Sequence, residues 1–334
     1  MAIVGLTLLA LAPGIFLVIY FQRRDRVQRE PWKVIIISFL LGALTVILAA
    51  ALEIALLGDD DFGSTIPELA FSMFLIVALV EELCKLLVIQ FYSARRPEFD
   101  ELMDGLVYGA AAAAGFATLE NVGYVLENGF LVGIIRAVLS VPMHVLTGAW
   151  IGYWIARSRF EGTPYYLTVL IGLGMAIFVH GTFNVGVMAE QKAFIVMSVV
   201  VVLILLGLVI VVARRALQLS EAQARESLVD RIARTSTLPV SMGGPMASAG
   251  EGQPVAGGHA RTVLIALFYA LGVVSLITGL FFGLGVGYLF YNNEIGDPFN
   301  LESVIMYFLV ALPLAGAVFF PLLGHMLRRL FFED

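Results

Sequence analysis

The chain has 334 residues, 60% of them apolar and 14% charged, with a formal net charge of -6. Water-soluble chains are nearer half apolar and a quarter charged, so this one cannot hide its apolar surface in a single water-facing core and reads as a polytopic membrane protein. No basic domain suggests nucleic acid, and the single cysteine, Cys84, excludes an intramolecular disulfide framework and any CxxC zinc or redox pair.

Crossing about 30 Å of hydrocarbon takes roughly 20 helical residues. Apolar stretches of that length occur nine times, at approximately 3–21, 34–57, 67–92, 103–126, 130–156, 164–189, 193–213, 262–291 and 303–327. They predict an all-α fold, a polytopic transmembrane helix bundle of about nine spans. The first stretch has no basic leader and no small-residue cleavage signal, which predicts a retained span. Seventeen of the twenty Lys and Arg residues fall on one side of this thread, among them Arg23, Arg24, Arg26, Arg29 and Lys33 in the first loop. The positive-inside rule therefore predicts an N-terminus outside and a C-terminus in the cytoplasm. Lys85 and Arg136 fall inside spans. Arg136, near the outer end of span five, is expected to snorkel to the headgroups, with Glu120 or Glu127 as the other partners in reach. From about 214 to 261 the sequence turns charged and then rich in Gly, Pro, Ser and Ala, which predicts a flexible cytoplasmic linker.

Ionisable groups inside spans cost on the order of 2.5 to 3.5 kcal/mol each, so each needs a partner or a task. Span three holds Glu81, Glu82 and Lys85. Glu81 and Lys85, four apart, share a helix face and can pair, while Glu82 reaches Lys85 at three-residue spacing. A neutralised ion pair between helices is the bland reading, yet it leaves one glutamate over. Span four holds Phe116, Glu120 and Asn121, with Gly105, Gly109 and Ala113 upstream as a stripe that lets helices approach. Span five carries Pro142 and His144; span six carries His180 and Asn184, one turn apart. At about 1.5 Å per residue these groups fall at or just outside the midplane, so they can converge on a cavity that opens away from the cytoplasm. Amide hydrolysis needs a deprotonated water, donors for the oxyanion and a proton for the leaving amine, and carboxylates, imidazoles and an asparagine amide supply these.

These motifs, in four consecutive spans, resemble those of the PrsW-type intramembrane proteases. Glu81-Glu82-Leu83-Cys84-Lys85 is similar to EExxK, Phe116 to Glu120 to FxxxE followed by Asn121, and His144 and His180-Gly181-Thr182-Phe183-Asn184 to two histidine motifs. That family is similar in turn to the CAAX prenyl endopeptidases and bacteriocin-processing membrane proteins. The resemblance covers about residues 1 to 213. It implies a multi-pass protein of a bacterial plasma membrane, a glutamate-dependent endopeptidase that cuts membrane-anchored protein substrates, often anti-sigma factors, near the extracytoplasmic face. It also implies catalytic carboxylates at Glu81 and Glu82 with Glu81 as the base, His144 and Glu120 around the water, and His180 with Asn184 at the oxyanion. Lys85, Phe116 and Asn121 would support them. The prenyl endopeptidases have a histidine where this chain has Glu120, so the orientation of the water stays open between Glu120 and His144. The expected organisation is a seven-span catalytic membrane domain (1–213), the linker (214–261) and a two-span C-terminal membrane module (262–334).

Two imidazoles and three carboxylates are also a zinc-type donor set, which would draw on His144, His180, Glu81 and Glu120. With no HExxH motif and ligands gathered from separate helices, catalysis without a cofactor is expected ahead of a zinc-dependent protease. Were zinc bound, both histidines should have second partners. A proton-coupled transporter or channel is the reading from another class, because proton relays use the same residues; the lack of an internal repeat weighs against it. The expected partners are the lipid bilayer and a membrane-anchored protein substrate.

Overall fold

The computed structural model describes residues 2–235 apart from 59–61, 64 and 190–191. The spans expected at 262–291 and 303–327, and the linker from residue 236 on, lie outside the described residues. In chain order the elements are α1 (Ala2–Arg24), α2 (Trp32–Leu57), α3 (Ile66–Phe71), a π-helical stretch (Ser72–Ala78), α4 (Leu79–Phe91), a 3-10 turn (Ser93–Arg95), α5 (Leu102–Val138), α6 (Ser140–Phe160), α7 (Tyr165–Met188) and α8 (Lys192–Thr235). No strand occurs among the described residues. This is what hydrocarbon demands, since a helix satisfies its backbone polar groups internally.

Among the described residues five helical stretches are long and apolar enough to cross a membrane: Val4–Arg24, Trp32–Leu57, Leu102–Phe160, Tyr165–Met188 and Phe194–Val229. The third of these holds two expected spans. α5 has 37 residues, which as a straight rod would run about 55 Å, nearly twice the hydrocarbon thickness. It reverses instead at Gly129, whose φ of 81° and ψ of -166° suit only a residue without a side chain. Pairs across the reversal close in on that residue: a Cβ at Gly105 would overlap the Gly152 carbonyl, one at Gly109 would overlap the Gly148 carbonyl, and Arg136 donates to Asn121. The stripe of small residues read from the sequence is thus the seam of an antiparallel hairpin. Pro142 has no N–H to give the carbonyl of Val138, and the ladder is interrupted at Leu139 (φ -113°, ψ -59°), where α6 begins.

The first arm of α5 is the hub of the bundle. Its second face meets α2 backbone to backbone, with Gly42 against the Ala112 carbonyl and Gly115 against the Phe39 carbonyl. Residues 105–118 of this arm are all buried. The expected third span is a continuous rod in three pieces, α3, the π stretch and α4, opened by a capping box between Thr65 and Glu68.

Contacts between the loops gather the basic residues at one end. Gln28 donates to Asp100 (2.7 Å), Arg159 to the Ala94 carbonyl, and Arg215 to Glu161 (2.7 Å). α8 runs beyond 213 to Thr235, so the charged first part of the expected linker is helical, in keeping with its Ala, Leu, Gln, Glu and Arg content.

Candidate active site

The π-helical stretch ends one turn before Glu81 and Glu82 and sets their rotation about the rod. α7 leans on this stretch through Gly181, where a Cβ would lie 2.5 Å from Phe74 Cδ1. That approach brings His180 to Glu82. Glu82 is fully buried, and its Oε1 accepts from Lys85 Nζ (2.7 Å) and Thr147 Oγ1 (3.2 Å) and lies 2.7 Å from His180 Nδ1. Lys85 Nζ also lies 2.7 Å from His144 Nδ1 and 4.9 Å from the centre of the Phe116 ring. Of the two pairings that helical spacing allows Lys85, the one with Glu82 forms and the one with Glu81 does not. Lys85 turns toward the face that offers it both a carboxylate and an imidazole nitrogen.

His144 Nε2 meets Glu120 Oε2 at 3.0 Å, and Arg136 Nη2 meets the same oxygen at 2.9 Å. Arg136 does not snorkel. It donates to Asn121 Oδ1 (3.2 Å) and stacks over Tyr124 at 3.8 Å, because the Gly129 reversal sets it opposite the acid. Asn121 in turn ties α5 to α1 through the Ala10 carbonyl (3.2 Å). The rings of His144 and His180 stand edge to face with centres 4.8 Å apart.

Glu81 is left over. Its Oε2 is buried without a hydrogen bond, 3.8 Å from His144 Nδ1 and 3.8 Å from His180 Nε2. That separation is too long for a direct hydrogen bond and suits one bridging atom. The Nδ1 of His180 is turned to Glu82 and the Nε2 of His144 to Glu120, so in neutral imidazoles the nitrogens facing Glu81 carry lone pairs. Glu81, His144 and His180 each offer a ligand atom within 4.8 Å of the others, and both imidazoles have a carboxylate on the opposite nitrogen. This donor set fits zinc, including the second partners a metal-bound histidine requires.

Glu81, Glu82, Lys85, Phe116, Glu120, His144 and His180 thus form one cluster, with Asn121 beside it and Asn184 half-buried one turn beyond His180. Two members went unread in the sequence. Thr147, one turn from His144, carried only helical spacing as a signal. Glu53 on α2 has a buried, unpartnered oxygen and interacts electrostatically with Glu81 and Glu120; it was visible as a lone acid in an apolar span. An apolar cleft of about 200 Å³ between α1, α6 and α8 includes Pro142, Val145 and Leu146. These project roughly 100 to 200° around α6 from His144, so the cleft lies behind the cluster.

Residues 30–212 match the family described as PrsW family intramembrane metalloprotease. Curated relatives named Protease PrsW include those of Geobacillus kaustophilus (34% identical over 54% of this chain and 79% of the relative), Clostridioides difficile strain 630 (34%, 60% and 86%) and Bacillus subtilis strain 168 (31%, 52% and 78%). No solved structure matches. The match spans every residue of the cluster, and the chain belongs to the PrsW family of intramembrane proteases, multi-pass proteins of bacterial membranes.

Proposed function

We propose that the chain hydrolyses a peptide bond of membrane-anchored protein substrates with a water held between Glu81, His144 and His180, and that Glu81 takes the proton of this water. The observation that carries the reading is the unpartnered oxygen of Glu81, equidistant at 3.8 Å from two imidazole nitrogens. A buried carboxylate with no cation on it is the base of the site, whereas Glu82, held by Lys85, His180 and Thr147, fixes the imidazole of His180. Glu120 stands behind His144 and, with Arg136, fixes that ring rather than the water. The proton taken by Glu81 passes to the leaving amine. Asn184 donates to the oxyanion, joined by His180 when its Nε2 carries a proton.

A zinc ion would be held by Glu81, His144 and His180. Bound there, it would supply Lewis-acid polarisation of the carbonyl and acidify the attacking water. Lys85 weighs on the other side, because its ammonium occupies His144 Nδ1 at 2.7 Å and would have to yield it. Without the ion Glu81 is the base; with it Glu81 would be a ligand and the ion would acidify the water.

The expected arrangement in the membrane supports the same reading. With the N-terminus outside and the basic end cytoplasmic, the cluster opens toward the outer half through Glu120, which at 17% side-chain exposure is more accessible than Glu81 or Glu82. Substrates are membrane-anchored proteins cut near that face, anti-sigma factors among them. Residues 1–213 are the catalytic domain, followed by the linker (214–261), whose first part to Thr235 continues α8, and a two-span module (262–334). A transporter or channel is not favoured, given the family match.

The test is cleavage of a single-span substrate by the purified chain in nanodiscs, with metal content measured and the assay repeated in chelator. Cleavage lost in chelator and restored by zinc assigns the ion; undiminished cleavage by metal-free protein assigns Glu81 alone; the absence of cleavage under both conditions contradicts the reading.

A further inference from the structure

A second group of buried carboxylates lies at the opposite depth, where the loop after α1 meets the start of α5. Asp25 and Asp104 are fully buried, and Glu30 and Glu101 are 3% and 8% exposed. Asp25, Glu101 and Asp104 each offer one ligand oxygen within 4.8 Å of the others. Their other oxygens are engaged: Asp25 accepts from the backbone N–H of Gln28 (3.3 Å), Asp104 from those of Asp100 (2.6 Å) and Glu101 (2.7 Å), and Glu101 from that of Asp104 in a reciprocal cap. One oxygen of each, Asp25 Oδ2, Glu101 Oε1 and Asp104 Oδ1, is buried without a partner. Glu30 joins from the side, where Tyr108 donates to it.

Five basic residues, Arg23, Arg24, Arg26, Arg29 and Lys33, flank Asp25 and Glu30 in sequence, yet none makes an ion pair with this group among the described residues. Glu30 shares a hydrogen bond with Asp104, Ser220 reaches Glu101 and the charge of Arg29 acts on Asp25 from a distance, yet the three free oxygens face one another, and carboxylates gathered in this way are costly unless a proton or a cation joins them. A half-polar pocket of about 230 Å³, lined by Asp100, Glu101, Glu161, Ser220 and Gln223 together with Phe160 and other apolar side chains, reaches Glu101 from outside. The donors are all carboxylate oxygens, with no imidazole or thiolate among them, which suits a hard cation rather than zinc.

We propose that Asp25, Glu101 and Asp104 form a site for one hard divalent cation, calcium or its manganese surrogate, which ties the loop after α1 to the start of α5. In the absence of an ion, burial pushes the Asp25 and Glu101 carboxyls above their ordinary range and that of Glu30 up to about 7, so protons are the competitor for the site. The ion adds a clip between segments about 76 positions apart, on the same helix that carries Phe116 and Glu120 further along. The site stands apart from the proposed chemistry and does not depend on it.

The test is titration of the purified full chain in nanodiscs with calcium by equilibrium dialysis, and with manganese by electron spin echo spectroscopy. Expected are one saturable calcium site per chain, an unfolding midpoint that rises with calcium, and a manganese signal without imidazole nitrogen modulation. Asp25→Asn and Asp104→Asn should each weaken calcium binding at least tenfold, and His180→Ala should leave it unchanged. Should the Asn variants not fold, the manganese spectrum of the unaltered chain still decides. Absence of saturable binding would mean that protons close the cluster and would overturn the proposal. So would imidazole modulation that persists in His180→Ala, or calcium binding lost in His180→Ala and retained in Asp25→Asn.

Discussion

The two buried acidic groups are built in opposite ways. In the middle of the bundle two carboxylates have charged partners, Glu82 with Lys85 and His180, joined by Thr147, and Glu120 with His144 and Arg136, although Glu82 Oε2 is itself buried without a hydrogen bond. Glu53 lies at the edge of that group with one oxygen unmatched. At the basic end Asp25, Glu101 and Asp104 take hydrogen bonds mainly from backbone N–H groups, with Glu30 beside Asp104 and Ser220 beside Glu101, and no Lys or Arg forms an ion pair with them among the described residues. The first group spends its cations on holding imidazoles in place and leaves one oxygen facing them. The second leaves three oxygens facing one another. Unmatched oxygens in a buried, otherwise satisfied setting mark where something else binds, and the neighbours decide what: lone-pair nitrogens favour a water or zinc, and carboxylates alone favour a hard cation.

The comparison breaks most directly at Glu81. Glu81→Gln keeps the size of the side chain and removes the base, so cleavage should fall about 10²- to 10⁴-fold with no loss of unfolding midpoint. An equal fall in both would make Glu81 a structural member like Glu82. Lys85→Met tests the matched half. It strands the buried carboxylate of Glu82 and should cost about 3 to 5 kcal/mol of stability. Adding Glu82→Gln to Lys85→Met should recover much of that loss, as measured by denaturation in detergent. Gly109→Val drives a side chain into the Gly148 carbonyl and should cost at least about 1 to 3 kcal/mol. Gly123→Ala, further along the same arm and facing open space, should stay within about 0.5 kcal/mol. Smallest of all, Arg215→Gln at the partly exposed Glu161 pair should change stability by about 1 kcal/mol or less. A larger loss there would mean that the basic end is held together by surface pairs.

Much of this was legible before any coordinates. Span lengths gave the helices, and the stripe of Gly105, Gly109 and Ala113 marked the seam that α6 fills, because small residues at four-residue spacing have one physical use in a bundle. The ordered motifs marked the cluster from Glu81 to Asn184. Partner choice was not legible. Helical spacing allowed Lys85 to reach either glutamate, and the π-helical stretch that sets their rotation leaves no mark in composition. Arg136 read as a snorkelling residue because its distance from Glu120 depends on where the chain reverses, and that reversal rests on Gly129 alone. The group around Asp25 was hidden altogether, since its halves lie some 76 positions apart and each half alone resembles an ordinary solvated loop.

The most direct measurement is cleavage of a single-span substrate in proteoliposomes by the unaltered chain and by Glu81→Gln, both checked for insertion and folding. The account predicts two fragments from the first and intact substrate from the second. Fragments produced by Glu81→Gln at the unaltered rate would contradict it.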